Sequence, residues 1–342
     1  MASPEVTQRK SPASTPAVEV SLSSLDTADI TTSDLEGPNY EPLNPRTLLD
    51  SFLNATIDNR QIQLSISKGR LPKSYTREEH AKATVYKSVD ASQPRHIVKC
   101  SWLTSQTEAV TLAFIQSRTT IPVPSVIFSK IDNSTKKTMI CMSYIEGTRL
   151  SDAWPQLDAE QKVDIEAQLR GYLAELRSLE PPVPTYIGGV NGGPVRDVRL
   201  RMLSIPATGE PVSSVAEFED WLLGTTHTIL PARVKAYIKN KMVRQREQKG
   251  YNIVFTHGGL YPENILVRNE KEGRTMGQDN WKIVGILDWS SAGWYPEYWE
   301  FVKAMEQGFC SMDGCAGMVA KCVPEYREEV LLAEYYKLTL DH

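Results

Sequence analysis

Apolar residues recur along the chain with two spacings, and the alternation between them marks out the elements. Residues 62–67, 84–89 and 96–100 carry the β-branched and alternating character of strands and predict a small antiparallel sheet. Ahead of them, Leu48, Leu49, Phe52 and Leu53 with Pro45 just inside the start predict a short helix over 44–58. Leu112, Phe114 and Ile115 open a long helical pattern that resumes from Leu150 to Leu179. Residues 218–246 read as amphipathic helix, with Trp221, Leu222, Leu223, Val234, Tyr237, Ile238 and Met242 on the apolar side and Pro231 dividing it in two. The pattern then returns to strands. Tyr251 to Phe255 leads into a polar loop, Ile265-Leu266-Val267 leaves it, and Trp281 to Leu287 forms a third run that ends on Asp288.

Composition bounds the reading. At 342 residues the chain exceeds one small core and suits two lobes plus a tail. Residues 1–43 are rich in Ser, Thr, Pro and acidic residues and poor in aromatics, so a disordered tail is expected there. A formal charge of −4 and a pI of about 5.9 give no global basic field for nucleic acid or an anionic membrane. No apolar run approaches the roughly 20 residues that span a bilayer. The first residues have an early acid and no apolar core, which speaks against export. A cytoplasmic protein with no nucleic-acid or membrane partner is expected. Five cysteines, at 100, 141, 310, 315 and 322, fit reduced packing thiols, and their spacings match no common zinc pattern. Lys235, Lys239, Lys241, Arg244 and Arg246 make the second half of 218–246 basic, which reads as a solvated helix face.

The chemistry concentrates in His257-Gly258-Gly259-Leu260-Tyr261-Pro262-Glu263-Asn264. In the kinase pattern His-x-Asp-x-x-x-x-Asn, the Asp accepts the proton of the attacking hydroxyl and the Asn holds a metal ion on the nucleotide phosphates. His257 and Asn264 keep that spacing, whereas Gly259 stands where the Asp is needed. Asp288 follows the third strand, either as a cap for the next turn or as a carboxylate converging with Asn264 on one Mg²⁺. Gly259 also frees φ, so a looser loop is expected.

These segments resemble the aminoglycoside phosphotransferase and choline kinase-like family, fungal type, whose hallmark is His-Gly-Asp-Leu-x-Pro-x-Asn followed by Ile-x-Asp-Trp. Ordered matches run from about Ile97 to Met305. The resemblance implies an α+β, protein kinase-like two-lobed fold: a tail over 1–43, a small β lobe with hinge over 44–147, and a mainly helical lobe over 148–342. It implies that Lys99 grips the α- and β-phosphates with Glu108 as its partner, and that Met142, Ser143, Tyr144 and Ile145 form the hinge receiving adenine. Asn264 and Asp288 become the metal ligands, and His257, Gly259 and Asn264 the catalytic loop positions. The segment 185–200 is placed beside the acceptor pocket. The glycine-rich phosphate loop is poorly formed, since 68–74 offers one Gly. The implied function is transfer of phosphate from ATP, or another nucleoside triphosphate, with Mg²⁺, to a small-molecule hydroxyl, slowed by Gly259. The alternative is a catalytically inactive pseudokinase that binds nucleotide or serves as a scaffold.

Overall fold

The strands form three sheets in the computed structural model, which describes residues 75–79, 84–88, 95–101, 106–131, 137–197, 210–225, 232–270, 280–308 and 314–331. All fall within the unit Glu41–His342. The expected tail, the helix at 44–58, the strand at 62–67, the phosphate loop at 68–74 and Cys310 lie outside them.

The first is a five-stranded antiparallel sheet of order β1-β2-β3-β5-β4, built from β1 (Tyr75–Glu79), β2 (Thr84–Ser88), β3 (His96–Ser101), β4 (Val126–Ile131) and β5 (Thr138–Ser143). Strand β1 was not legible in its polar sequence, Tyr-Thr-Arg-Glu-Glu, and it is held by pairing with β2 in the register Tyr75↔Ser88 to Glu79↔Thr84. Strands β3 and β5 pair Val98 with Cys141 and Lys99 with Ile140. Alternation turns Val98, Cys100, Met139 and Cys141 into a small apolar cluster with Phe128 of β4. Lys99 therefore points to the other face.

Between β3 and β4 runs α1 (Gln106–Arg118), which buries Glu108, Leu112, Phe114 and Ile115. Phe114 meets Phe255 at 5.7 Å and Trp294 at 5.6 Å between ring centroids, so the helix that carries Glu108 is seated on the aromatic core of the second lobe. After β6 (Thr148–Arg149) and the short α2 (Leu150–Ala153) comes α3 (Ala159–Arg177). Its start is a reciprocal cap: Asp158 Oδ1 accepts from the Gln161 N–H at 2.9 Å, and Gln161 Oε1 accepts from the Asp158 N–H at 3.0 Å. Ile165, Leu169, Leu173 and Leu176 form its buried stripe. Losing such a cap costs roughly 1 kcal/mol; truncating Leu169 to Ala would cost about 2–5 kcal/mol.

Helices α4 (Val215–Thr225) and α5 (Ala232–Lys249) pack together, and two basic residues of the largely exposed α5 face pair with α4. Lys239 pairs with Asp220 at 2.7 Å, and Arg246 pairs with the buried Glu219. Strands β7 (Ile253–Thr256), β8 (Ile265–Asn269), β9 (Trp281–Ile286) and β10 (Gly293–Pro296) follow, then α6 (Trp299–Gly308) and α7 (Cys315–Lys321). β7 pairs with β10, and β8 lies between β6 and β9. Gln168 of α3 closes the outer edge of β9, donating to the Trp281 carbonyl at 2.9 Å and accepting from the Ile283 N–H at 3.0 Å. Cys100, Cys141, Cys315 and Cys322 are buried free thiols.

The segment 185–197, with Gly188, Gly189, Gly192 and Gly193, docks on β10 because the backbones approach too closely for side chains. A Cβ on Gly293 would sit 2.4 Å from the Gly188 carbonyl oxygen. Gly188 and Trp294 instead exchange both backbone hydrogen bonds, at 3.0 and 2.9 Å. Further along, buried Lys303 of α6 donates to Asp197 at 2.9 Å and lies 3.0 Å from Glu306.

Candidate active site

Three charged side chains from distant parts of the sequence meet at the junction of the sheet and the helical lobe. Lys99 Nζ lies 2.9 and 3.0 Å from the two carboxylate oxygens of Glu108 and 2.8 Å from Asp288 Oδ1. Burial works to lower the Lys99 pKa, but Glu108 and Asp288 outweigh it and hold the amine well above the usual lysine range. Burial likewise works to raise Asp288, and Lys99, helped by the Ser290 hydroxyl at 3.0 Å, brings it down to about 2. All three groups are charged at neutral pH.

Asp288 reaches this position through backbone that few residues adopt. It follows β9 at φ 62° and ψ 62°, the only non-glycine residue with positive φ among those described. Asp tolerates this region better than most. The preceding Leu287 donates its N–H to the Asn264 carbonyl at 2.8 Å, so the two expected metal ligands adjoin. The Pro-rich turn 121–124 anchors the same strand end, with Ile286 N–H donating to the Pro122 carbonyl at 2.8 Å.

The loop after β7 is pinned from behind. Glu300, the second residue of α6, is buried and accepts from the His257 N–H at 2.6 Å and the Gly258 N–H at 3.3 Å. Burial drives its pKa up to about 7 against the opposing pull of these two bonds, Arg177 and Lys303. Gly258 has φ 70°, and a Cβ there would lie 2.8 Å from the Ser291 carbonyl oxygen, so glycine is required. Gly259 is different: its φ is not positive, and a Cβ would meet only His257 Nδ1, at 3.9 Å. Asn264 Nδ2 donates to the Gly259 carbonyl at 2.9 Å. The loop is held at both flanks of position 259, contrary to the expectation that Gly259 loosens it.

His257 is 1 % exposed, with its ring centroid 4.5 Å from that of Trp289 and Nε2 3.0 Å from the Leu287 carbonyl oxygen. Burial, with the charge of Lys99, lowers its pKa to about 4 despite Asp288 and the Leu287 carbonyl, so the ring is neutral.

The hinge residues occupy the end of β5 and the segment after it. Ser143 and Tyr144 donate their N–H groups to the carbonyls of Ser125 and Arg95, each at 2.9 Å. Met142 is buried, and Ile145 packs over Gly285, where a Cβ would sit 3.0 Å from its Cδ1. The structure thus brings Lys99, Glu108 and Asp288 into direct contact and sets Asn264, Gly259 and His257 beside them. Glu300 was quoted in the sequence only as part of a matching helix. Its signal was a carboxylate within an otherwise apolar run, Trp299 to Ala304, where Lys303 is the other charge.

A family model described as the phosphotransferase enzyme family matches residues 106–330. The chain belongs to the phosphotransferase enzyme family. None of the curated proteins matches it in sequence. Among solved structures it is similar to the apo form of a thermostable mutant of aminoglycoside phosphotransferase APH(4)-Ia. The identity is 12 % and the TM-score 0.52, covering 81 % of this chain and 91 % of that one. A second structure of aminoglycoside phosphotransferase APH(4)-Ia matches at 13 % identity and TM-score 0.50, covering 83 % and 86 %. Likeness at this identity establishes the fold, which is the α+β, kinase-like two-lobed fold of this family.

Proposed function

We propose that the protein transfers a phosphoryl group from ATP, with Mg²⁺, to the hydroxyl of a small molecule. The observation that carries this reading is the contact of Lys99 with both Glu108 and Asp288, directly beside Asn264. A buried amine held cationic by one carboxylate while touching a second is suited to phosphate oxygens. A structural ion pair needs only one partner.

The donor set fits the implied metal. Among the described residues no three His, Cys, Asp or Glu side chains converge, so a closed cage of the zinc kind is not built. Asp288 and the amide oxygen of Asn264 are hard oxygen donors, and Mg²⁺ is bound by one or two such groups together with substrate phosphates. When bound, the ion would neutralise charge on the β- and γ-phosphates. The chain's own groups then act as follows. Lys99 holds phosphate oxygens and Glu108 keeps it aimed. The N–H groups of Ser143 and Tyr144 are bonded within the protein, so hinge contact with adenine falls to the other backbone groups of the segment and to Ile145. Glu300 fixes the backbone of His257 and Gly258, and Asn264 fixes that of Gly259, so the loop facing the acceptor is preorganised. The acceptor lies on the side of Gly259, near the docked segment 185–197.

Two features support the acceptor class: family membership and the fold shared with an aminoglycoside phosphotransferase. We place this activity in the cytoplasm of a fungal cell; among the described residues no helix is long and apolar enough to cross a membrane. A second reading, a nucleotide-binding protein without turnover, draws on Gly259 alone. Both require nucleotide. Saturating Mg²⁺-ATP is expected to raise the melting temperature, because a ligand that binds only the folded state stabilises it. An unmoved melting curve sinks both readings. Transfer of labelled γ-phosphate to a panel of hydroxyl compounds then separates enzyme from inactive binder.

A further inference from the structure

We propose that His257 supplies the base that Gly259 has removed: its Nδ1 accepts the proton of the attacking hydroxyl through the space left at position 259. The inference rests on the phosphotransfer reading and specifies how its acceptor is activated.

The tautomer follows from hydrogen bonding. Nε2 lies 3.0 Å from the Leu287 carbonyl oxygen, which can only accept, so Nε2 carries the proton and Nδ1 a lone pair. Nδ1 is buried and has no hydrogen-bond partner among the described residues. Buried polar atoms are nearly always satisfied, so an acceptor left open calls for a donor from outside the chain. The direction in which it is open is also defined. An ideal Cβ at 259 would be 3.9 Å from Nδ1 and, its chain neighbours apart, within 4 Å of no other heavy atom, so the volume a side chain would fill there adjoins this nitrogen. A hydroxyl of the acceptor, directly or through one water in that volume, would find Nδ1 as its hydrogen-bond acceptor.

The ring is placed to serve. Trp289 lies against it at 4.5 Å, and Glu300 holds the backbone N–H of its own residue, so Nδ1 has a fixed direction. Burial leaves His257 with a basicity close to that of an ordinary aspartate, so replacing one base by the other sacrifices little proton affinity. The imidazolium formed would keep Nε2–H on the Leu287 carbonyl.

The step balances. The hydroxyl oxygen forms a bond to the γ-phosphorus, and the bond from that phosphorus to the β,γ-bridging oxygen breaks. ADP leaves with that electron pair, and the hydroxyl proton moves to Nδ1. The imidazolium returns the proton to solvent as product departs.

The test uses the full chain with water as the acceptor, read as Mg²⁺-ATP hydrolysis, and ¹⁵N-histidine NMR with the His257 signal assigned by its absence from H257Q. The expected spectrum has Nε2 protonated and Nδ1 bare. In G259A the added methyl group takes up the volume beside Nδ1, 3.9 Å from it, and hydrolysis is expected to fall about 10²-fold. Its melting temperature and Mg²⁺-ATP-induced shift should remain those of wild type. A protonated Nδ1, or a G259A protein that hydrolyses at the wild-type rate, overturns the proposal. A wild-type protein that binds Mg²⁺-ATP and hydrolyses none of it also overturns the base, while leaving nucleotide binding intact. Failure to bind nucleotide at all would instead defeat the functional reading, and the base with it.

Discussion

The two sides of the cleft are held in place by different means. On the nucleotide side, Lys99, Glu108 and Asp288 fix one another by charge: three side chains from β3, α1 and the end of β9 share two contacts at 2.8–2.9 Å. On the acceptor side the catalytic loop is held by backbone contacts instead. His257, Gly258 and Gly259 present a neutral ring and bare backbone, and their geometry is imposed from behind by Glu300 and from the flank by Asn264. A side chain can therefore be lost from the acceptor side without collapse, because the loop never leaned on it. The nucleotide side has no such freedom, since removing one partner strands a buried charge.

Asp288→Asn is expected to have the largest effect. It removes the negative charge from the metal position and one partner of Lys99, and hydrolysis should fall at least about 10³-fold, as for other lost electrostatic contacts at phosphoryl-transfer sites. The Mg²⁺-ATP-induced rise in melting temperature should shrink more than in Asn264→Ala. An Asp288→Asn protein with an undiminished shift would show that the nucleotide side is assigned to the wrong residues.

Part of this site was legible because the loop residues 257–264 lie in one contiguous stretch. The run from Tyr251 to Val267 and the strand ending at Asp288 are read by alternation, whereas Lys99 and Glu108 were implied by the family resemblance alone. What escaped acts across the chain through backbone atoms. Glu300 works on N–H groups 42 and 43 residues earlier. Lys303 is neutralised by Asp197, 106 residues away. Spacing says nothing about such partners. Nor does sequence distinguish Gly258 from Gly259, adjacent and chemically identical, since only the fold sets one at positive φ against the Ser291 carbonyl.

That distinction supplies the next test. Gly258→Ala should destabilise by about 1–2 kcal/mol for the left-handed backbone alone, and overlap with Ser291 should add about 1–3 kcal/mol. A melting temperature like that of wild type would show that the loop is not pinned as described. Glu300→Gln tests the pinning group through pH. Its carboxyl is raised to about 7 from an ordinary 4.5, so the folded protein keeps a proton that the unfolded chain releases between those values. The contribution of Glu300 is thus fully present below pH 4.5 and declines as pH rises through 7. Glutamine has no such window. The stability of the variant relative to wild type should therefore rise between pH 4.5 and 7, by up to about 3 kcal/mol, and a constant difference across that range would mean that Glu300 does not titrate there.

Gly259→Asp should produce the smallest change, and its smallness is informative. With φ in the ordinary range and nothing nearer to a new Cβ than His257 Nδ1 at 3.9 Å, the side chain enters without strain. Stability should stay within about 0.5 kcal/mol of wild type, as for substitutions that touch no packed group. Mg²⁺-ATP should still raise the melting temperature by the wild-type amount, because Lys99, Glu108 and Asp288 are untouched. The rate is where the two sides of the cleft can be told apart. If His257 already serves as the base, a carboxylate at 259, whose Cβ takes up the volume beside Nδ1 as in G259A, exchanges one base for another, and hydrolysis should rise less than about tenfold. A gain of about 10²-fold or more would mean that the wild-type site lacks a base altogether. His257 would then be a structural ring, and Gly259 the one departure from kinase chemistry that limits the rate.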